Sequence, residues 1–204
     1  MRVVFLALVL LVLSSLTFAA EPHRLAFYAD RNATSCDLAT NYPGFLEVHV
    51  MLEGGGDIVT VTFGALKPQC MRSAVWIADA WDWDGGTVLQ GPGTTQDPDG
   101  TVVVMQCHPA PIYVGRIMYL LTEPTDPCCR YEPTPSRAAG PPYKIEVVVT
   151  VGNICNPTPG QPAYTYFEEA TSKGVIMNSN ETCSCDLPLP VQQSTWGSVK
   201  ALYR

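Results

Sequence analysis

The chain has 204 residues, with 12 Lys and Arg against 19 Asp and Glu, giving a formal net charge of −7. That length suits one domain with a real core. An acidic surface repels phosphate backbones and anionic lipid heads, which argues against nucleic acid and membrane surfaces as partners.

Residues 1–20 have the three parts of a secretory signal: Arg2, a continuous apolar run over 3–13, and Thr17-Phe18-Ala19-Ala20 as a small-residue cleavage site. The run is too short to span a bilayer, which takes about 20 apolar residues, and Ser14 and Ser15 interrupt it. No later segment is long and apolar enough to span one either. The expected division is a signal peptide over 1–20, a disulfide-stapled domain over 21–186, and a Pro-rich linker with an amphipathic tail over 187–204. The mature protein is expected to be secreted, outside the cell or on its surface.

Strand signals follow in chain order. Residues 25–29 come first, then 45–52, where Leu46, Val48, Val50 and Leu52 alternate with Glu47, His49 and Met51. Residues 58–63 put Val59, Val61 and Phe63 on one face, and 145–151 alternate with Lys144, Glu146 and Thr150 facing out. This period of two marks half-buried strands. The runs 74–78, 101–106 and 112–121 are more continuously apolar and read as fully buried strands, and 175–178 adds a short one. Turn-formers such as Gly54-Gly55-Gly56 and Asp97-Pro98-Asp99-Gly100 separate the runs, and 18 prolines and 16 glycines break most long helices. The pattern predicts an all-β fold, an antiparallel sandwich, with one short helix over 164–172.

Eight cysteines, Cys36, Cys70, Cys107, Cys128, Cys129, Cys155, Cys183 and Cys185, all follow the signal segment. An even count behind a signal peptide reads as a disulfide framework. Spacing leaves the pairing open. Cys70 with Cys107 is one expected bridge, because the two bracket an acidic, Trp-rich segment.

That segment, Asp79-Ala80-Trp81-Asp82-Trp83-Asp84-Gly85-Gly86, comes closest to a binding site. Asp82 and Asp84 share one side of an extended chain, and Asp97 and Asp99 lie in a second Asp-x-Asp-Gly turn. Clustered carboxylates and loop carbonyls suit calcium, which takes hard oxygen ligands. The EF-hand pattern is not met, since no Glu follows Gly85 at the required distance. Trp81 and Trp83 could stack on sugar rings beside those carboxylates, whereas Trp76, set between Val75 and Ile77, reads as core. No serine nucleophile motif accompanies His23, His49 and His108, Cys107-His108 lacks a second pair at zinc-ligand spacing, and Glu168-Glu169 point apart on a helix. A non-enzyme is therefore expected, with no cofactor other than calcium.

After Cys185, Leu187-Pro188-Leu189-Pro190 forms a stiff extended linker. Ser194 or Thr195 could cap a short helix carrying Trp196, Val199 and Tyr203 at spacings of three and four. Such a helix is marginal alone, so Trp196, Val199, Leu202 and Tyr203 are expected to dock on something.

Three groups of residues carry a resemblance: Leu25-Ala26-Phe27-Tyr28-Ala29-Asp30 before Cys36; Cys107 ahead of Pro111-Ile112-Tyr113-Val114-Gly115-Arg116-Ile117-Met118-Tyr119; and Cys183-Ser184-Cys185 with the ending Thr195-Trp196-Gly197-Ser198-Val199-Lys200-Ala201-Leu202-Tyr203-Arg204. The chain resembles a group of exported bacterial proteins with a cohesin-like β-sandwich and a tail of this type. The segment 65–100 does not take part in it. The resemblance implies export and a sandwich, and no activity. The functional expectation is a secreted structural or adhesive protein, a subunit of a cell-surface assembly partnered by its own copies or by surface proteins. The alternative is a calcium- or carbohydrate-binding module that binds without catalysis.

Overall fold

The structure, a computed structural model, describes residues 22–40, 42–82, 89–90, 93–151 and 164–185. These residues form thirteen strands: β1 Arg24–Tyr28, β2 Asp37–Leu38, β3 Gly44–Glu53, β4 Asp57–Phe63, β5 Ala74–Ala80, β6 Leu89–Gln90, β7 Thr101–Pro109, β8 Ile112–Leu121, β9 Cys129–Tyr131, β10 Glu146–Val151, β11 Tyr164–Glu169, β12 Thr171–Lys173 and β13 Val175–Met177. The first sheet has the order β12-β1-β3-β8-β5, the second β11-β10-β4-β7-β6, and a third, smaller sheet β2-β13-β9. Most pairings are antiparallel, while β1–β12 and β2–β13 run parallel. The mostly-β expectation holds.

The alternation in β3 explains how the first sheet finds its core. Leu46, Val48, Val50 and Leu52 are buried, and the residues between them face outward. They join one apolar cluster with Ile58, Val61 and Phe63 of β4, Val103 and Met105 of β7, and Val147 and Val149 of β10, so the two large sheets share a core. In β4 the expected inward set is shifted. Ile58, not Val59, is buried, because β4 carries Val59 as an extra residue between Ile58 and Thr60, which pair with the adjacent Val149 and Val148 of β10. An extra residue at a bulge exchanges the faces on either side of it.

Two further expectations are corrected. Residues 164–172 form the strands β11 and β12 rather than a helix, since β11 pairs with β10 over six consecutive residues. The run 74–78 is not buried on both faces: Val75 and Ile77 are 54% and 42% exposed. Residues 101–106 likewise alternate, with Val102 and Val104 only partly buried. The linker, the tail and its expected helix lie outside the described residues.

The small sheet is bound to the rest in two ways. Three disulfides converge on it: Cys70–Cys129, Cys128–Cys183 and Cys36–Cys185. The first overturns the expected Cys70–Cys107 pair, because the turn at Gln69–Met71 packs against β9. Cys107 is also disulfide-bonded, and Cys155 lies outside the described residues. Beside the bridges, the Asn178 side chain donates to Thr125 and accepts from the Thr40 amide and hydroxyl.

The second tie is a buried tyrosine pair. The Tyr131 hydroxyl donates to the Ala65 carbonyl at 2.7 Å and lies 2.8 Å from the Tyr119 hydroxyl. A phenol has one proton to give, so Tyr119 donates to Tyr131 and in turn accepts from Gln96 Nε2 at 2.8 Å. The Tyr131 ring also meets Phe27 of β1 at 5.1 Å. One side chain of the small sheet thus touches both large sheets.

Removing the Cys70–Cys129 bridge with a double Cys→Ser substitution is expected to cost about 2–4 kcal/mol, measured by denaturant unfolding of oxidised protein. Tyr131→Phe removes the acceptor of the Tyr119 proton and leaves the Ala65 carbonyl with Gln96 alone, and is expected to cost about 1–3 kcal/mol. Burial pushes the Tyr119 and Tyr131 phenols above their ordinary value of 10.0. Above that pH the unfolded chain loses these protons while the folded chain keeps them, so stability falls as pH rises. Tyr131→Phe is expected to flatten that alkaline slope in pH-dependent melting.

Candidate functional site

The acidic, Trp-rich segment is only partly a surface. Trp81 packs against the core, with its ring edge-on to Phe63 at 5.8 Å. Gly115 makes this possible: a Cβ there would sit 2.4 Å from the Ala80 carbonyl oxygen and 2.8 Å from Trp81 Cα, at φ +155°. Asp82 is exposed and pairs with Arg31 at 3.7 Å. Arg31 in turn stacks over the Tyr113 ring at 4.5 Å. Trp83 and Asp84 lie outside the described residues.

The Asp97 side chain serves its own turn, and the Asp99 backbone ties that turn to residues 136–138. The Asp97 carboxylate accepts from the Thr94 amide at 2.8 Å and hydroxyl at 3.1 Å. The Asp99 carbonyl accepts from the Ser136 hydroxyl and the Ala138 amide. Among the described residues, no three His, Cys, Asp or Glu side chains are grouped to hold a metal ion. The structure does not bring Asp82 together with the Asp97–Asp99 turn.

Asp79 plays a part that the sequence did not single out. Its carboxylate accepts from Trp76 Nε1 at 3.0 Å, the Thr95 amide at 2.8 Å and the Thr95 hydroxyl at 2.8 Å. This fastens the 93–97 segment to β5, while Trp76 packs against the core as expected.

The histidines are dispersed. His23 is buried with Nδ1 3.1 Å from Glu168, His49 Nδ1 lies 3.1 Å from the Tyr113 hydroxyl, and His108 Nδ1 lies 2.9 Å from the Pro109 carbonyl. Burial holds the His49 imidazole below its ordinary value and pushes the Tyr113 phenol up to about 12. Tyr28 is also raised to about 12, by burial first and then by its hydrogen bond to Glu53. These tyrosines stay protonated donors at neutral pH. The Arg24–Glu53 pair lines a cleft of about 660 Å³ with Pro22, Gly54, Pro111 and Thr171, and the two charges answer each other.

Two exposed apolar surfaces stand out. One is β11, the edge strand of the second sheet among the described residues. Tyr164, Tyr166 and Phe167 are all exposed, so aromatic rings lie on both of its faces. Val147 and Val149 opposite Glu168 and Tyr166 are buried, which places the limit of the core between β10 and β11.

The other surface is the outer face of the first sheet. Phe45 of β3 pairs with Leu120 of β8, which pairs with Val75 of β5, giving one apolar row across three strands. Met118 and Ile77 extend it, and the Glu47–Arg116 ion pair borders it at 3.4 Å. Trp196, Val199, Leu202 and Tyr203 of the expected docking tail lie outside the described residues.

No family model, curated protein or solved structure matches this chain. Among the described residues, no helix is long and apolar enough to cross a membrane. The disulfides fit an oxidising compartment.

Asp79→Asn turns an acceptor into a donor that faces donors. It is expected to cost about 1–3 kcal/mol in denaturant unfolding, and to raise amide exchange at Thr95 more than at β8.

Proposed function

We propose that this protein is a secreted structural or adhesive component of the cell exterior, built as a cohesin- or immunoglobulin-like β-sandwich. The strand order of the two five-stranded sheets and their common core support the sandwich. The signal-like residues 1–20 and the disulfides support work outside the cytoplasm.

The observation that carries the role is β11. An edge strand presents unpaired backbone donors and acceptors, and folds that avoid association blunt such edges with Lys, Pro or bulges. Residues 164–169, Tyr-Thr-Tyr-Phe-Glu-Glu, contain neither Lys nor Pro, their charges are confined to Glu168 and Glu169 at one end, and their pairing with β10 runs without a register break. Aromatic side chains on both faces add apolar area to any strand laid alongside. Antiparallel addition of a second copy along this edge extends the sheet, while the acidic surface limits association at low salt.

The assembly state of the oxidised mature chain, read by light scattering and electron microscopy, tests this. Oligomers or filaments that dissociate in a Phe167→Glu variant are expected. A monomer at all concentrations and salt conditions, with no binding to cell surfaces, contradicts the role. A melting midpoint that rises with calcium and falls with chelator would favour a calcium-binding module using Asp82 and Asp84.

A further inference from the structure

We infer that the cleft where the edge of the first sheet meets the small sheet binds a compact oxyanion, a carboxylate or a phosphate, between Arg24, Arg130 and Lys173. This goes beyond the assembly role and does not depend on it.

The chain builds this cleft by changing sheets within one residue. β12 pairs with β1 at the edge of the first sheet, which sets Thr171 opposite Arg24 and Lys173 opposite Ala26. β13 joins β9 in the small sheet and sets Ile176 opposite Arg130. Gly174 is the whole connection between them. A Cβ there would sit 2.6 Å from the Tyr131 carbonyl oxygen and 2.8 Å from Glu132 Cβ, so glycine lets the crossing pass this close to β9. That closeness brings cations from β1, β9 and β12 around one cavity of about 300 Å³. Ser184 and Cys185 form another wall. They are fixed by the Cys36–Cys185 disulfide and by the Asp37 carboxylate, which accepts from the Ser184 hydroxyl and the Cys185 amide.

Charge sets the cleft apart from the rest of the molecule. The chain is at −7, yet three of its 12 Lys and Arg residues line this one cavity, and among the described residues no Asp or Glu does. Nearby carboxylates leave these cations with donors to spare. Arg24 turns Nε and Nη2 toward Glu53, which leaves the Nη1 arm of its fork. Arg130 and Glu132 lie 2.8 Å apart, but both are well exposed, at 61% and 42%. Such a pair is worth little in water, so a ligand competes with it readily. Lys173 has no carboxylate partner among the described residues. Its ammonium lies 4.6 Å from the Tyr28 ring centroid and donates to the Tyr28 hydroxyl at 3.4 Å. The ring holds the ammonium in place without neutralising it.

Size and lining narrow the ligand. A cavity of about 300 Å³ stands at the small end of small-molecule sites. Ile176 gives it an apolar patch and Ser172 a hydroxyl, so a sugar acid fits as well as a free phosphate ion. Both offer an oxyanion that guanidinium and ammonium groups bind by charge-assisted hydrogen bonds. A long polyanion is disfavoured, because the net negative charge outside the cleft repels it.

The test is isothermal titration calorimetry of the full oxidised mature chain at constant ionic strength, with glucuronate, inorganic phosphate and uncharged glucose as probes. At least one of the two anions is expected to bind saturably in the millimolar range or tighter, while glucose gives no signal. Tighter binding of glucuronate assigns the cleft to an organic acid, and tighter binding of phosphate assigns it to the free ion. Lys173→Gln is expected to weaken the better anion about tenfold. Arg130→Gln, at a more exposed position, should do the same and serves as the second probe should Lys173→Gln lower the melting midpoint. Arg72→Gln and Phe167→Glu, both outside the cleft, should leave the affinity unchanged. The inference is overturned if neither anion saturates by about 50 mM, or if Lys173→Gln and Arg130→Gln both bind as the wild type does. Binding of glucose as tight as that of glucuronate would overturn it as well.

Discussion

The Tyr131 hydroxyl has one proton, and the Ala65 carbonyl takes it. That choice fixes the direction of the neighbouring bonds: Tyr119 donates to Tyr131, and Gln96 donates to Tyr119 and also to Ala65. The consequence is mechanical. Ala65 follows β4, Tyr119 lies on β8 and Tyr131 on β9, so three sheets meet at two buried phenols and one carbonyl. A buried polar cluster of this kind is costly when incomplete, because each unpartnered group retains its desolvation penalty. Here the two phenols and the Gln96 amide each find an acceptor, and the aromatic rings add Phe27 of β1 to the contact.

Given that junction, the cysteines have a clear purpose. Cys129 sits two residues before Tyr131 and is bridged to Cys70, while Cys128 and Cys185 extend the covalent tie on either side of the small sheet. A three-stranded sheet of two- and three-residue strands has little apolar area of its own. Cross-links that restrict the unfolded chain compensate for that shortage. The outcome is a firm frame for the surfaces at its margins. The β11 edge reaches past the core on one sheet, and the Phe45–Leu120–Val75 row lies open on the other, on the same face as the fixed end of the described chain.

Much of the large-sheet framework was legible in the sequence. Strict alternation identified β3, and apolar runs identified β1, β4, β7, β8, β10 and β13. Periodicity failed at a bulge: Val59 is an extra residue between the partners of Val149 and Val148, and it moved the inward face at the start of β4. Strands as short as β2, β6 and β9 carry too few residues to show a period. Residues 164–172 were expected to form a short helix, yet pairing of 164–169 with β10 makes them strand. The candidate surfaces were harder to read. Phe45, Val75 and Leu120 are far apart in sequence and become neighbours only through strand register, and Trp81 looked like a platform until Gly115 admitted it to the core. Disulfide partners likewise depend on which loops the sheets bring together.

The junction at Tyr131 makes the small sheet and the two large sheets one cooperative unit. Native-state amide hydrogen exchange of the oxidised chain tests it most directly, by comparing Val175 and Met177 of β13 with Val48 and Ile117 in the first sheet. All four are expected to exchange only through global unfolding, with equal opening free energies and the same denaturant dependence. If the β13 amides instead open at far lower free energy and independently of denaturant, the small sheet is a loosely held appendage and the Tyr131 junction does not unite the fold.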